Sequence, residues 1–219
     1  MLSFSAPLFF ILVMVFSSHS ASASEYSLTL LDSESKPVAN AIVEIHYRDN
    51  GSSTSTANTN KLAVMDQVDE QFYPHILAIE KGTSVSFPNS DNIKHHVYSF
   101  SETKVFEQGL YKGRQAPPIV FEKSGVVDLG CNIHDWMLGY IYIADSALFA
   151  KTNKDGKAFF NQNSLSDKDI SHLSIWHPRM REDEQRIKLT YSGKSQVHQL
   201  TNAMQEDFDG YEALSIEEY

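Results

Sequence analysis

The chain has 219 residues, 42% of them hydrophobic and 21% charged, a globular composition with room for one large domain or two small ones, which excludes disorder as the default. A formal charge of −10 at pH 7 excludes nucleic acid as an expected partner. The single cysteine, Cys131, excludes an internal disulfide.

The first residues read as an address rather than a fold. Residues 8–16 are apolar and are followed by Ser20-Ala21-Ser22-Ala23, where Ala21 and Ala23 satisfy the small-x-small rule for signal cleavage. We expect an export signal at 1–23 and a periplasmic or otherwise exported mature chain. The apolar run is too short to cross about 30 Å of hydrocarbon comfortably, so no stable membrane span is expected after cleavage. Export also matters for Cys131: an unpaired thiol in an oxidising compartment is either a small buried side chain or a thiolate committed to a metal.

From there onward nearly every periodic segment is short, β-branched or aromatic, and closed by Gly, Pro, Asn, Asp or Ser, the pattern of antiparallel sandwiches. Strands are predicted at 26–31, 39–47, 62–65, 75–80, 83–87, 95–100, 118–122, 126–129, 138–144, 158–160, 172–176 and 186–191, with no long helix. The run from Asp49 to Asn60 is polar without an apolar period and reads as a linker. Residues 61–146 hold enough strands for one sandwich, whereas 24–60 and 147–200 are each too short to bury a core alone and are expected to need each other. Residues 201–219 form an acidic tail carrying Glu206, Asp207, Asp209, Glu212, Glu217 and Glu218 without a basic residue.

The chemistry concentrates in Gly130-Cys131-Asn132-Ile133-His134-Asp135-Trp136-Met137, between the predicted strands 126–129 and 138–144. Cys131, His134 and Met137 recur every third residue, so a loop at the end of a sandwich can turn all three toward one point. A histidine from elsewhere, His95 or its neighbour His96, would close the set; successive strand residues point to opposite faces, so only one of them reaches it. A thiolate, two imidazoles and a weak thioether suit copper in its one-electron chemistry. Zinc is the runner-up, although its structural sites rarely use methionine.

This loop resembles the copper-ligand loop of the cupredoxin family in its short form, and the stretch from Asn89 to His95 resembles the segment that delivers the first histidine. The resemblance implies a cupredoxin Greek-key β-sandwich with one type 1 copper ion held by His95, Cys131, His134 and Met137. It makes Asn89 a supporting residue that hydrogen-bonds the ligand loops; Trp136 departs from the better-known members and is expected to support the site by packing over the loop, shielding the copper or touching a partner. The spacing from Asn89 selects His95 over His96. The flanks, with Lys36-Pro37-Val38-Ala39-Asn40-Ala41-Ile42-Val43 and Thr152-Asn153-Lys154-Asp155-Gly156-Lys157-Ala158-Phe159, resemble a carboxypeptidase-regulatory-like sandwich into which the cupredoxin would be inserted, or which would flank it. The whole chain is similar to cupredoxin-containing proteins of the methylamine utilization type.

The function implied is an electron carrier between redox partners such as a cytochrome or a dehydrogenase, with a copper-binding or adaptor module as the alternative. A copper oxidoreductase is the less expected alternative, and the chain is not read as an enzyme. Gly130 and Asn132, rather than histidines, flank Cys131, and no Ser/His/Asp or paired-carboxylate arrangement stands out.

Overall fold

The computed structural model describes residues 25–48, 61–113, 116–165, 170–181, 184–185 and 187–206. The expected signal at 1–23, the linker from Asp49 and the tail beyond Glu206 lie outside the described residues.

The described chain is all-β apart from one short 3-10 turn. In order it forms β1 (Glu25–Leu31), β2 (Ile42–Tyr47), β3 (Leu62–Val64), β4 (Asp66–Val68), β5 (Gln71–Tyr73) and β6 (Ile76–Glu80). There follow β7 (Ser84–Ser86), β8 (His95–Ser99), β9 (Phe106–Tyr111), β10 (Ile119–Val120), β11 (Gly125–Cys131) and β12 (His134–Ala144). The last are β13 (Phe149–Lys151), β14 (Lys157–Asn161), β15 (Ile170–Trp176), β16 (Ile187–Leu189) and β17 (Gln196–Gln199).

These strands make two sandwiches. The central one pairs a sheet of order β6-β12-β11-β8-β9 with a sheet of order β10-β7-β3. Alternation decides what goes between them: along β11, Val127, Leu129 and Cys131 are buried while Asp128 points outward. They join Phe72, Phe87, Val97, Phe121, Met137 and Ile141 in one apolar core. The outer sandwich pairs β14-β1-β17 with β13-β2-β15-β16. Its core takes Tyr26, Leu28 and Leu30 from β1, Val43 and Ile45 from β2, and Leu173 and Ile175 from β15. Strands β2 and β13 are hydrogen-bonded neighbours, so the central sandwich departs and returns between two adjacent strands of the outer one.

Where the two meet, Ile42 and Trp176 of the outer sandwich pack with Ile76, Tyr142 and Ala144 of the central one. The buried carboxylate of Glu44 is satisfied across this boundary, accepting from the Tyr142 hydroxyl at 2.7 Å and from the Ser146 N–H at 2.6 Å.

Strands β4, β5, β9, β13 and β17 were not among the sequence expectations. Each is short or an edge, and propensity is weak where pairing with distant strands decides the conformation. The β4–β5 hairpin is seated by a close approach: a Cβ added at Gly139 of β12 would lie 2.7 Å from the Phe72 Cβ, so glycine makes room for that ring.

Beyond β15 the chain turns a corner that buries His177, whose Nδ1 accepts the Arg179 N–H at 3.2 Å. Burial, then the charges of Arg179 and His75, push its pKa down to about 3. A depressed folded-state pKa means that the unfolded chain takes up the proton first. Stability is therefore complete above the ordinary histidine value and is lost as pH falls toward 3. Urea denaturation from pH 7 to pH 4 is expected to show a loss approaching ~1.4 kcal/mol per pH unit for this one group. His177→Phe is expected to flatten that slope; an unchanged slope would assign the acid sensitivity elsewhere.

Candidate metal centre

Three side chains that could hold a metal come from three strand ends. His95 opens β8, Cys131 closes β11, and His134 opens β12 after the two-residue connection Asn132-Ile133. The pairing of β11 with β12 runs regularly from Gly125↔Ile143 to Gly130↔Leu138, then shifts so that Cys131 faces His134. Asp135, Trp136 and Met137 are thereby extruded from the ladder, an enlarged form of the bulge that re-aims side chains at sheet ends. This irregularity is what turns His134 back toward Cys131.

The donor atoms form a triangle. His95 Nδ1 and His134 Nδ1 are 3.2 Å apart, and Cys131 Sγ lies 3.9 Å from the first and 3.8 Å from the second. A point equidistant from these corners is about 2.1 Å from each, inside the range of metal–nitrogen and metal–sulfur bonds. Two nitrogens and one sulfur at these separations would suit an ion that takes mixed imidazole and thiolate ligands. The donors are screened from water: His95 is 0% and Cys131 4% exposed. Met137 is fully buried in the same apolar cluster as Cys131, three residues past His134 on the extruded segment.

The far side of each ring is also occupied. His95 Nε2 lies 2.6 Å from Asp91 Oδ2, and that carboxylate accepts the backbone N–H groups of Asp69 at 2.6 Å and Glu70 at 2.9 Å. Burial raises the Asp91 pKa, but the bonds from Glu70, His95 and Asp69 outweigh it and hold the carboxyl below its ordinary value. His134 Nε2 lies 3.9 Å from Glu70 Oε2, and its ring sits 5.3 Å from that of Trp136, centroid to centroid. Trp136 is 43% exposed and forms the rim.

Asn89 braces the approach to His95. Its amide donates to the carbonyls of Ile93 at 2.9 Å and Tyr111 at 3.0 Å, while its oxygen accepts the Asp91 N–H at 3.0 Å. All three bonds lie in the segment before His95 and in β9, so Asn89 organises one ligand segment from within. Tyr111, cross-strand from His95, donates its hydroxyl to the Phe87 carbonyl at 2.6 Å. Its pKa is pushed up to about 12, chiefly by burial, with a hydrogen bond from Gln67 opposing and the charges of Asp66 and Cys131 adding to the rise.

His96 is turned away: its Nε2 meets Glu107 Oε1 of β9 at 2.9 Å, and its ring packs beside Tyr98. The structure thus gathers His95, Cys131 and His134, places Met137 in the adjoining core and Trp136 on the rim, and leaves His96 outside. Sequence reasoning missed Asp91 and Glu70. A single acid in a polar loop carries no periodic signal, and only the fold brings it to a ring nitrogen.

No family model matches the sequence, and no curated protein is similar to it at the sequence level. Among solved structures it is similar to a copper-containing nitrite reductase (NirK) from Thermus scotoductus SA-01, at 26% identity and TM-score 0.36, covering 38% of this chain and 22% of that one. It thus spans less than a quarter of the nitrite reductase. A purple cupredoxin from Nitrosopumilus maritimus is 25% identical at TM-score 0.34, with 37% of this chain and 99% of that chain covered. A reduced amicyanin variant is 17% identical at TM-score 0.36, with 48% and 99% covered. The chain is all-β with cupredoxin-like structural neighbours.

The geometry separates the adjacent histidines experimentally. His95→Ala is expected to lower metal affinity by roughly tenfold or more, the scale of losses around metal sites, and His96→Ala to leave it nearly unchanged. Isothermal titration with Cu(II) measures both, and the reverse ranking would move the site by one residue.

Proposed function

We propose that this chain is an exported type 1 (blue) copper protein that passes single electrons between redox partners. The observation that carries the reading is the triangle of two imidazole nitrogens and one buried thiol sulfur, at separations that one metal ion could bridge. In this reading His95 and His134 would bind through Nδ1, Cys131 through its thiolate, and Met137 would offer its thioether as a weak further ligand. When bound, copper in such a set exchanges one electron with little change of geometry.

The chain's own residues supply the rest. The apolar cluster around Cys131 and Met137 keeps water from the donors, and the strand ends that carry the ligands are held in hydrogen-bonded ladders. His134 is the ligand nearest solution, with 13% of its side chain exposed, and it is flanked by Trp136 and the half-exposed Ile133. A partner reaching the site meets this edge, which makes a redox protein such as a cytochrome or dehydrogenase the fitting partner class. We read a carrier rather than an enzyme because Gly130 and Asn132 flank Cys131, so the cysteine's chain neighbours offer no imidazole to wire the thiolate to further coppers. Among the described residues no helix is long and apolar enough to cross a membrane. Export and the resemblance to the methylamine utilization type belong to the same proposal.

The Cu(II)-loaded protein is expected to show an intense visible thiolate-to-copper band that bleaches reversibly on reduction. Cys131→Ser is expected to abolish it while leaving the far-ultraviolet circular dichroism intact. A colourless protein that prefers zinc would defeat the reading.

Met137→Leu is expected to retain copper and raise the reduction potential, because loss of the weak axial donor costs the oxidised ion more than the reduced one. Voltammetry of both proteins at one pH and salt decides this. An unmoved potential with an unchanged spectrum makes Met137 a packing residue only.

A further inference from the structure

One short hairpin stands behind both histidines, behind His95 through Asp91 and behind His134 through its own Glu70. The two residues of the β4–β5 turn, Asp69 and Glu70, hold left-handed φ values of 51° and 59°. Tight turns of this kind usually recruit Asn and Gly, for which such a backbone is least strained. Here the backbone aims both turn N–H groups at one carboxylate: Asp69 N–H donates to Asp91 Oδ1 and Glu70 N–H to Asp91 Oδ2. Asp91 Oδ2 is also the atom 2.6 Å from His95 Nε2, while the Glu70 side chain places Oε2 3.9 Å from His134 Nε2. Glu70 therefore stands where glycine would strain the backbone least and supplies a carboxylate instead.

The hairpin is held firmly enough to act as a template. Asp66 accepts from the Ser90 hydroxyl at 2.7 Å and the Ser90 N–H at 3.2 Å, and the Gln67 amide donates to the Pro88 carbonyl at 2.8 Å. Phe72 fills the space left by Gly139.

We propose that the β4–β5 hairpin is a positioning element that sets both histidines, fixing the His95 ring as its Nε2–H tautomer through Asp91 and placing a negative charge behind each imidazole, so that the site favours Cu(II) over Cu(I). The redox part rests on the copper reading above. An ionised carboxylate only accepts hydrogen bonds, so the ring nitrogen facing Asp91 carries the proton and Nδ1 is left with its lone pair toward Cys131. A carboxylate behind a ligating imidazole also raises its basicity. Asp91 and Glu70 differ in reach: 11% of the Asp91 side chain is exposed against 43% for Glu70, so solvent and salt screen Glu70 more. Asp91 is the stronger, salt-insensitive member and Glu70 the weaker, salt-sensitive one.

The test has one arm without metal and one with it. In the metal-free full chain, long-range 1H–15N NMR of the histidine rings is expected to show His95 as the Nε2–H tautomer. Asp91→Ala, which removes acceptor and charge, should spread His95 over both tautomers. An Nδ1–H tautomer at His95 in the wild type overturns the positioning claim, whether or not copper binds.

With copper, Asp91→Asn keeps an acceptor oxygen but not the charge. It should raise the reduction potential and weaken Cu(II) roughly tenfold or more, with a smaller change for Cu(I). A potential equal to or below the wild type overturns the tuning claim. Glu70→Gln and Glu70→Gly both lose the carboxylate, while Glu70→Gly relieves the turn and keeps the N–H donated to Asp91. They should raise the potential by similar, smaller amounts that fade as salt is added. A shift in only one of them assigns the effect to the backbone and removes Glu70 from the proposal. Wild-type protein that binds no copper defeats the copper reading and the tuning claim with it, while the metal-free arm still decides the positioning claim.

Discussion

Two imidazole nitrogens 3.2 Å apart, with a sulfur within 4 Å of both, bring three potential donor atoms to one point, and in the copper reading all three turn lone pairs toward it. Such convergence is unfavourable unless positive charge lies among the donors, because burial removes the water that would otherwise separate them. Much of the central sandwich serves to hold this crowding in place. β8 fixes His95 in register with Tyr111, the displaced ladder between β11 and β12 returns His134 toward Cys131, and Asp91 turns the His95 ring so that Nδ1 faces inward. Any one of these alone would leave a side chain with other rotamers open to it.

The outer sandwich contributes from the opposite end of the same strand. β12 spans 11 residues, with His134 at its first position and Tyr142 and Ala144 at the boundary with β2 and β15. The apolar contact of Ile42 and Trp176, together with the bond from the Tyr142 hydroxyl to the buried Glu44, clamps that far end. The strand is gripped at its far end and paired there on both edges, antiparallel to β11 and parallel to β6, and at the ligand end the ladder resumes in the Cys131↔His134 pair. Rigid donors suit a centre that must keep similar geometry in two oxidation states.

How far the sequence discloses this depends on the range of each interaction. The all-β class is legible because turn residues and short β-branched runs are local signals, and the trio Cys131, His134 and Met137 is legible because it spans seven residues of chain. The choice between His95 and His96 is harder. Strand alternation separates them by face, yet both are buried, at 0% and 6% exposure, since the outward face at that point is covered by the pairing of His96 with Glu107. Asp91 and Glu70 are illegible for a different reason. Asp91 stands only four residues before His95, but in a polar loop without a period, its turn N–H donors and the histidine facing Glu70 lie on other segments, and that turn carries Asp-Glu where a turn signal would be Asn-Gly. The edge strands β9 and β17 hide similarly, because half of each faces solvent and the apolar pattern is diluted.

Charge ties these observations to the proposed chemistry. Without Asp91, a thiolate leaves one positive charge on a buried divalent ion and none on a monovalent one, so desolvation favours the reduced state. With Asp91 ionised, thiolate and carboxylate together cancel the divalent ion and leave one negative charge on the monovalent one. Desolvation then favours the oxidised state, in the same direction as the Coulomb attraction of the carboxylate for the higher charge. The two effects reinforce each other because Asp91 is nearly enclosed while its charge is stabilised by three donors, two of them backbone groups of a turn that cannot rotate away. Glu70, more exposed, shares the sign and little of the desolvation. In the copper reading, the acid that the β4–β5 hairpin holds behind the first histidine thus adds to what the ligands themselves do to the balance between oxidation states.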